Sequence, residues 1–293
     1  MSDEIVSRTE VRFNAIYVLE SLRDGDPKTG QSLFDEIVFP HTRKLEGVEA
    51  ECWRIRNEKE LRAKLREIDR RTRSEGRRPI VHFETHGFDT GLELANGDFV
   101  EWTSLIPELV AINEASRMNL LVVAMLCRGW NLMYSLTSSD RAALLMLIAP
   151  PDDMTHAAIL SATKRFYEAV VARLDLTDGL QAMNEHAPYD EWPIKPGLSE
   201  ILLCRHFRSH LEGLRPEIVS DEENRRVADT ARKRGLDLTR TALLREAVRG
   251  DLLDHRARYN RLRRTFLMLD LCPENEEKFG LTYEKCLKRS EDG

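Results

Sequence analysis

The stretches PIVHFETHGFDTG (79–91) and LLVVAMLCRG (120–129) decide how this chain is read. Each is a short apolar run that ends on a reactive side chain, His86 in the first and Cys127 in the second. A near-continuous apolar run closed by glycine is the pattern of a strand buried on both faces, as a parallel sheet requires. In open α/β sheets the crevice at the carboxyl ends of the strands is where ligands bind. The two runs therefore predict a thiol and an imidazole delivered to one sheet edge, a nucleophile beside a base.

The flanking sequence supplies the rest of such a sheet. RFNAIYVLE (12–20) predicts a first strand, and DGDPKTG (24–30) a loop, from which Thr29 or Ser32 caps a helix to about Ile37. EAECWRIR (49–56) alternates as a second strand, and residues 57–75 form an amphipathic helix with Leu61, Leu65 and Ile68 on one face and Asn57 as N-cap. Strand three is 79–84. Asn96-Gly97 then marks a hairpin turn between GLEL and FVEW. A helix over 104–114, strand four at 119–126, a helix from Trp130 and strand five at 142–149 follow. Helices at 154–173 and 177–185 lead to a proline-rich stretch with a short edge strand at 190–194. Beyond Ser199 strand patterns stop and arginine-rich helices take over, near 199–212, 221–234, 238–248, 251–268 and 281–289. The reading is an α/β domain over 1–197, its mostly parallel central sheet flanked by helices, and a helical C-terminal region over 198–293 packed on it.

Composition narrows the function classes. With 42% hydrophobic and 32% charged residues the chain is an ordinary globular one. A net charge of −6 excludes nucleic-acid binding by the whole surface. No apolar run approaches the roughly 20 residues of a membrane helix, and the acidic start MSDEIVSRTE has no secretory core, so the expected location is the cytoplasm with no membrane partner. Five scattered cysteines (52, 127, 204, 272, 286) argue against a disulfide framework, and no CxxC pair suggests zinc. No cofactor is expected.

The chemistry at the two strand ends is specific in kind. A thiol attacks a carbonyl as thiolate, and a neighbouring imidazole both takes its proton and protonates the leaving group. The oxyanion that forms needs donors already aimed at it. Gly87, directly after His86, allows close backbone approach and offers an N–H; the N–H of Cys127 offers a second. Gly129 permits a tight turn after the nucleophile, and a helix from Trp130 turns its positive end towards a thiolate.

These residues resemble the caspase-like (clan CD) cysteine peptidases, in particular their bacterial CHAT-type branch. HFETHG (82–87), the GLEL–NGDFV hairpin that follows and VVAMLCRG (122–129) carry the resemblance, which covers roughly residues 10–197. It implies the caspase-like fold and a catalytic Cys127–His86 dyad with the Gly87 and Cys127 backbone as oxyanion hole. It also implies peptide-bond cleavage through an acyl-enzyme and a place in bacterial antiviral defence. A protease free in the cytosol must be restrained, so control by a regulatory protein partner or activating ligand is expected, with the C-terminal helices as its place. The resemblance requires no third member of the dyad. Some relatives carry an acid two residues before the nucleophile, selecting a basic residue before the scissile bond. Met125 stands there, so an apolar residue is expected, with Met125, Asp24, Asp26 and Asp152, together with Asp153, as pocket candidates.

Other readings stand beside these. Cys127 as a buried core thiol is the ordinary fate of a free cysteine; the His86-Gly87 companion favours catalysis. His82 reads as a structural histidine, and Cys52, Cys204, Cys272 and Cys286 as structural. His206 and His210 lie one turn apart, but Phe207 stands where a zinc-protease glutamate belongs, so no metal is assigned. Interspersed acids make the arginines of 224–264 a salt-bridged face. RARYNRLRR (256–264), with Tyr259 for stacking, is the one place where nucleic acid has a reading. The alternative function is a catalytically inactive adaptor that binds a protein or RNA partner.

Overall fold

A computed structural model describes residues 13–185, 192–213, 216–234 and 242–288. Five parallel strands form the heart of the sheet: β1 (Ala15–Ser21), β2 (Glu49–Arg54), β3 (Pro79–Gly87), β6 (Leu121–Ala124) and β7 (Met146–Ala149). Their order is β2-β1-β3-β6-β7, and β8 (Lys195–Leu198) closes the sheet antiparallel to β7. The hairpin β4 (Gly91–Glu93) and β5 (Phe99–Glu101) pairs antiparallel onto the end of β3. This is the expected α/β class, with an arrangement consistent with a caspase-like fold.

Helices cover both faces. α1 (Thr29–Leu33) continues through a π-helical stretch (Phe34–Val38) into α2 (Phe39–Thr42), and α6 (His156–Arg173) and α7 (Leu176–Met183) lie on the same side. α3 (Glu58–Glu75) and α4 (Trp102–Ala115) pack together on the other. α3 starts where the sequence places it, since Asn57 Oδ1 accepts the Glu60 N–H at 3.0 Å. Gly97 turns the hairpin at φ 90°, the left-handed region that glycine enters without strain. β1, β6, β7 and most of β3 are buried along their length, so the central strands bury both faces.

The C-terminal region is helical: α8 (Ser199–Glu212), α9 (Pro216–Arg234), α10 (Ala242–Leu253), α11 (His255–Phe266), α12 (Asn275–Lys278) and α13 (Tyr283–Lys288). It joins the first region through shared core, since Phe266, Leu267, Met268 and Phe279 pack in the same apolar cluster as the sheet. Arg141 seals the join, its Nη1 and Nη2 reaching the Asp270 carboxylate at 2.9 and 2.8 Å.

Four expectations change. Neither Thr29 nor Ser32 caps the helix after β1: Thr29 is its first residue, and Lys28 precedes it with no side-chain cap. The edge strand expected at 190–194 falls partly outside the described residues, and the strand that closes the sheet is 195–198, because Lys195–Leu198 takes the register opposite β7. The helix after the nucleophile run, α5 (Asn131–Ser135), is little more than one turn, too short for a substantial dipole. Cys204 and Cys286, read as separate thiols, form a disulfide with Cα atoms 5.5 Å apart. It pins α8 to α13 inside a second apolar cluster with Phe207, Tyr259 and Leu281.

Candidate active site

The strand order explains why distant residues meet. The chain leaves β1 towards β2 and leaves β3 towards β6, in opposite lateral directions. The loops after β1 and β3 therefore part, and a crevice opens between them at the carboxyl edge. The loop after β1 carries Asp26, and β3 ends in His86 and Gly87. β3 runs past the expected residue 84 because β4 pairs with it there, His86 opposite Glu93 and Gly87 opposite Leu92.

His86 Nε2 lies 2.8 Å from Asp26 Oδ2, with both side chains partly exposed. The hydrogen bond from His86 holds the Asp26 carboxyl below the usual aspartate range. The loop that carries Asp26 is itself fixed at several points. The Arg23 N–H donates to Asp26 Oδ2 at 3.0 Å, and Lys28 Nζ donates to the Leu22 carbonyl at 2.9 Å. Thr29 Oγ1 donates to Glu84 Oε1 at 2.5 Å. Asp26 thus holds one imidazole nitrogen, leaving Nδ1 as the other.

Cys127 lies just past β6, partly exposed, with Sγ 3.6 Å from the Met154 carbonyl. Its backbone presses on Gly87: a Cβ added there would stand 2.0 Å from the Cys127 carbonyl oxygen, so glycine is the residue this approach allows. The residue after His86 and the nucleophile candidate are thus in direct backbone contact. Gly129 is required likewise, since a Cβ would stand 2.5 Å from the Ala124 carbonyl oxygen. The tight turn expected at Gly129 is present, its N–H bonding the Leu126 carbonyl at 3.1 Å, and the close approach at Gly87 is to the protein's own backbone.

Donors are available at this contact. Among the described residues 125–131, every backbone N–H except that of Cys127 donates to a carbonyl oxygen. The Phe88 N–H points to β4, bonding the Gly91 carbonyl at 2.8 Å. Alternation along a strand then turns the Gly87 N–H to the opposite edge, where Cys127 lies.

Two more residues border the site. His156, the first residue of α6, has its ring centroid 5.9 Å from that of His86. Arg128 has φ 56°, a left-handed conformation unusual for a non-glycine residue. Its N–H bonds the Asp152 carbonyl at 3.2 Å, and its guanidinium reaches Asp153 at 3.0 Å and Asp89 at 3.2 Å. This ties together the loops that follow β3, β6 and β7.

The pocket candidates scatter. Met125 is buried in the core, its N–H bonded to the Phe83 carbonyl at 3.0 Å, and lines no surface. Asp24 is exposed and paired with Arg54. Asp26 faces His86, and Asp153 is taken up by Arg128. Asp152 has an exposed side chain and serves through its carbonyl. Sequence reasoning missed the link between Asp26 and His86, along with His156 and Arg128. The strand order alone signals the first, because the two loops flank the switch point.

The other cysteines are poorer nucleophile candidates. Burial pushes the Cys52 thiol up to about 12 and raises that of Cys272, and Cys204 and Cys286 are bonded to each other. Among the described residues, no three His, Cys, Asp or Glu side chains are grouped to hold a metal ion, and no helix is long and apolar enough to cross a membrane. Burial lowers the pKa of His206 and of His210. The basic cluster 256–264 is largely engaged: Arg256 pairs with Glu284, Arg263 with Glu276, and Arg258 and Arg261 have partners too. Tyr259, expected to be free for stacking, is buried, its hydroxyl donating to the Leu281 carbonyl at 3.0 Å.

The sequence matches no protein-family model and no curated protein.

Proposed function

We propose that this chain is a cysteine endopeptidase of the caspase-like, CHAT-type kind, with Cys127 as nucleophile and His86 as general base and acid. The observation that carries the reading is the contact between Gly87 and the backbone of Cys127, beside a histidine already held by a carboxylate. With Asp26 holding Nε2, His86 Nδ1 is the nitrogen that takes the Cys127 proton. The thiolate sulfur bonds to the scissile carbonyl carbon, and the carbonyl π electrons move onto oxygen. The N–H groups of Cys127 and Gly87 receive that oxyanion. Its collapse breaks the C–N bond, and the departing nitrogen takes the proton from His86. A water molecule, deprotonated by the same imidazole, attacks the thioester and restores the Cys127 thiol. Asp26 steadies the imidazole and its positive charge, as the carboxylate of a triad does.

A cytoplasmic peptidase needs restraint. We place that control in the C-terminal helices, where a regulatory protein partner or an activating ligand acts, and the role in bacterial antiviral defence that the resemblance implies is part of the same proposal. The test uses the full chain and a proteome-derived peptide library whose products are sequenced by mass spectrometry. Cleavage by the wild type that Cys127→Ala abolishes is the expected result. Equal cleavage by the variant overturns the dyad, and a folded wild type that cleaves nothing supports the inactive adaptor instead.

A further inference from the structure

The hairpin beyond His86 places two aromatic rings where a substrate would leave the site. Across the three strands β3, β4 and β5, His86 stands opposite Glu93 and Glu93 opposite Phe99. Residues directly opposite in adjacent strands share a face. The alternate row, Gly87, Leu92 and Val100, faces the core, with Leu92 and Val100 buried. His86, Glu93 and Phe99 therefore form a row across the outer face. Phe88 completes it, its ring edge-on to Phe99 with centroids 5.9 Å apart. Phe88 and Phe99 are 44% and 46% exposed. The Phe88 backbone is fixed: its N–H bonds the Gly91 carbonyl, and Trp102 Nε1 donates to its carbonyl at 3.2 Å. Glu93, between the rings and His86, is held by Arg23.

The side of the site is fixed as well. Thr85 Oγ1 donates to the carbonyls of Ser21 and Glu93, and the Ala95 N–H donates to Ser21 Oγ at 2.9 Å. The hairpin thus continues on the β1 side of β3, and Cys127 comes from β6 on the other side. His86 lies between the nucleophile and the rings. In the peptidase reading His86 protonates the departing nitrogen, so the leaving half of the substrate lies on the His86 side of Cys127.

We infer that Phe88 and Phe99 form a specificity-determining contact for a large apolar side chain on the leaving-group half of the substrate polypeptide. This inference rests on the peptidase reading above. Two strand spacings separate Phe99 from His86, about 10 Å. An extended peptide advances about 3.3–3.6 Å per residue. The contacted residue is therefore the second or third after the bond that is cut. Paired exposed aromatics are the kind of surface that dominates recognition when an apolar side chain covers them.

The test compares full-length wild type, Phe88→Ala/Phe99→Ala and the conservative Phe99→Tyr on the same peptide library, with thermal melting of each variant as the folding control. Wild-type products are expected to show Phe, Leu, Met and Tyr enriched at the second or third position after the cut. The double alanine variant should lose that enrichment about tenfold while cleavage still requires Cys127, and Phe99→Tyr should keep it. Cys127-dependent cleavage with no such enrichment, or with enrichment that survives in the double variant, overturns this inference and leaves the peptidase reading standing. Absence of any Cys127-dependent cleavage overturns both.

Discussion

Strand β3 supplies the histidines of two histidine–carboxylate pairs with the same separation, and the pairs lie in different surroundings. His82 Nε2 lies 2.8 Å from Glu84 Oε2, and His86 Nε2 lies 2.8 Å from Asp26 Oδ2. The inner pair is sealed, with side chains 0% and 6% exposed, while the outer pair is open at 29% and 23%. The inner pair is also saturated: Tyr167 reaches His82 Nδ1 at 3.3 Å and Thr29 bonds Glu84. The outer pair keeps an imidazole nitrogen free of its carboxylate and sits beside a cysteine backbone. Equal distance between partners thus accompanies unequal exposure, set by position along the strand; in the peptidase reading only the outer imidazole meets a substrate.

The sharpest way to break this comparison is to remove the outer imidazole. His86→Ala should lower Cys127-dependent cleavage by about 10²–10⁴-fold, the range for a lost general acid–base, with little change in melting temperature. The peptide-library assay and a thermal melt check both halves. Asp26→Asn should lower kcat by about 10²-fold through loss of orientation, again with the fold intact. Steady-state kinetics on one well-cleaved peptide would show it. The inner pair should behave in the opposite way. Glu84→Ala orphans His82 Nε2 and the Thr29 hydroxyl in the core and should cost about 1–3 kcal/mol for each group left unpaired, read by urea denaturation.

The smallest effect is the pH dependence of the outer pair. The folded-state pKa of Asp26 is depressed, chiefly by the hydrogen bond from His86. Its contribution to stability is therefore complete above the ordinary aspartate range and is lost as pH falls through the lowered folded value. The stability difference between wild type and Asp26→Asn should be about 0.5 kcal/mol or less near pH 5 at this partly exposed site, and should shrink in stronger acid. Chemical denaturation over that fall in pH measures it.

Local signals explain which parts of this picture the sequence discloses. Asn57 as a cap, Asn96-Gly97 as a turn and the apolar runs of β3 and β6 are local, and each stands within a few residues of where it is read. His86 and Cys127 at strand ends follow from those runs. Asp26 is equally visible as a loop residue, but its meeting with His86 depends on β1 lying next to β3, which no window of sequence contains. Met125 falls into the core because its N–H still bonds β3 at Phe83, a register that the pattern MLCRG does not disclose. The Cys204–Cys286 disulfide spans 82 residues, and connectivity over such a span is not deducible from spacing.

The central claim is that His86 activates Cys127, and the rate of alkylation tests it most directly. Wild type, His86→Ala and a short unstructured cysteine peptide would be treated with iodoacetamide at pH 6.5, and modification of Cys127 followed by mass spectrometry. The account predicts that Cys127 in the wild type reacts faster than the peptide cysteine and that His86→Ala removes the excess. A Cys127 that reacts no faster than the peptide, or at the same rate with and without His86, would contradict it.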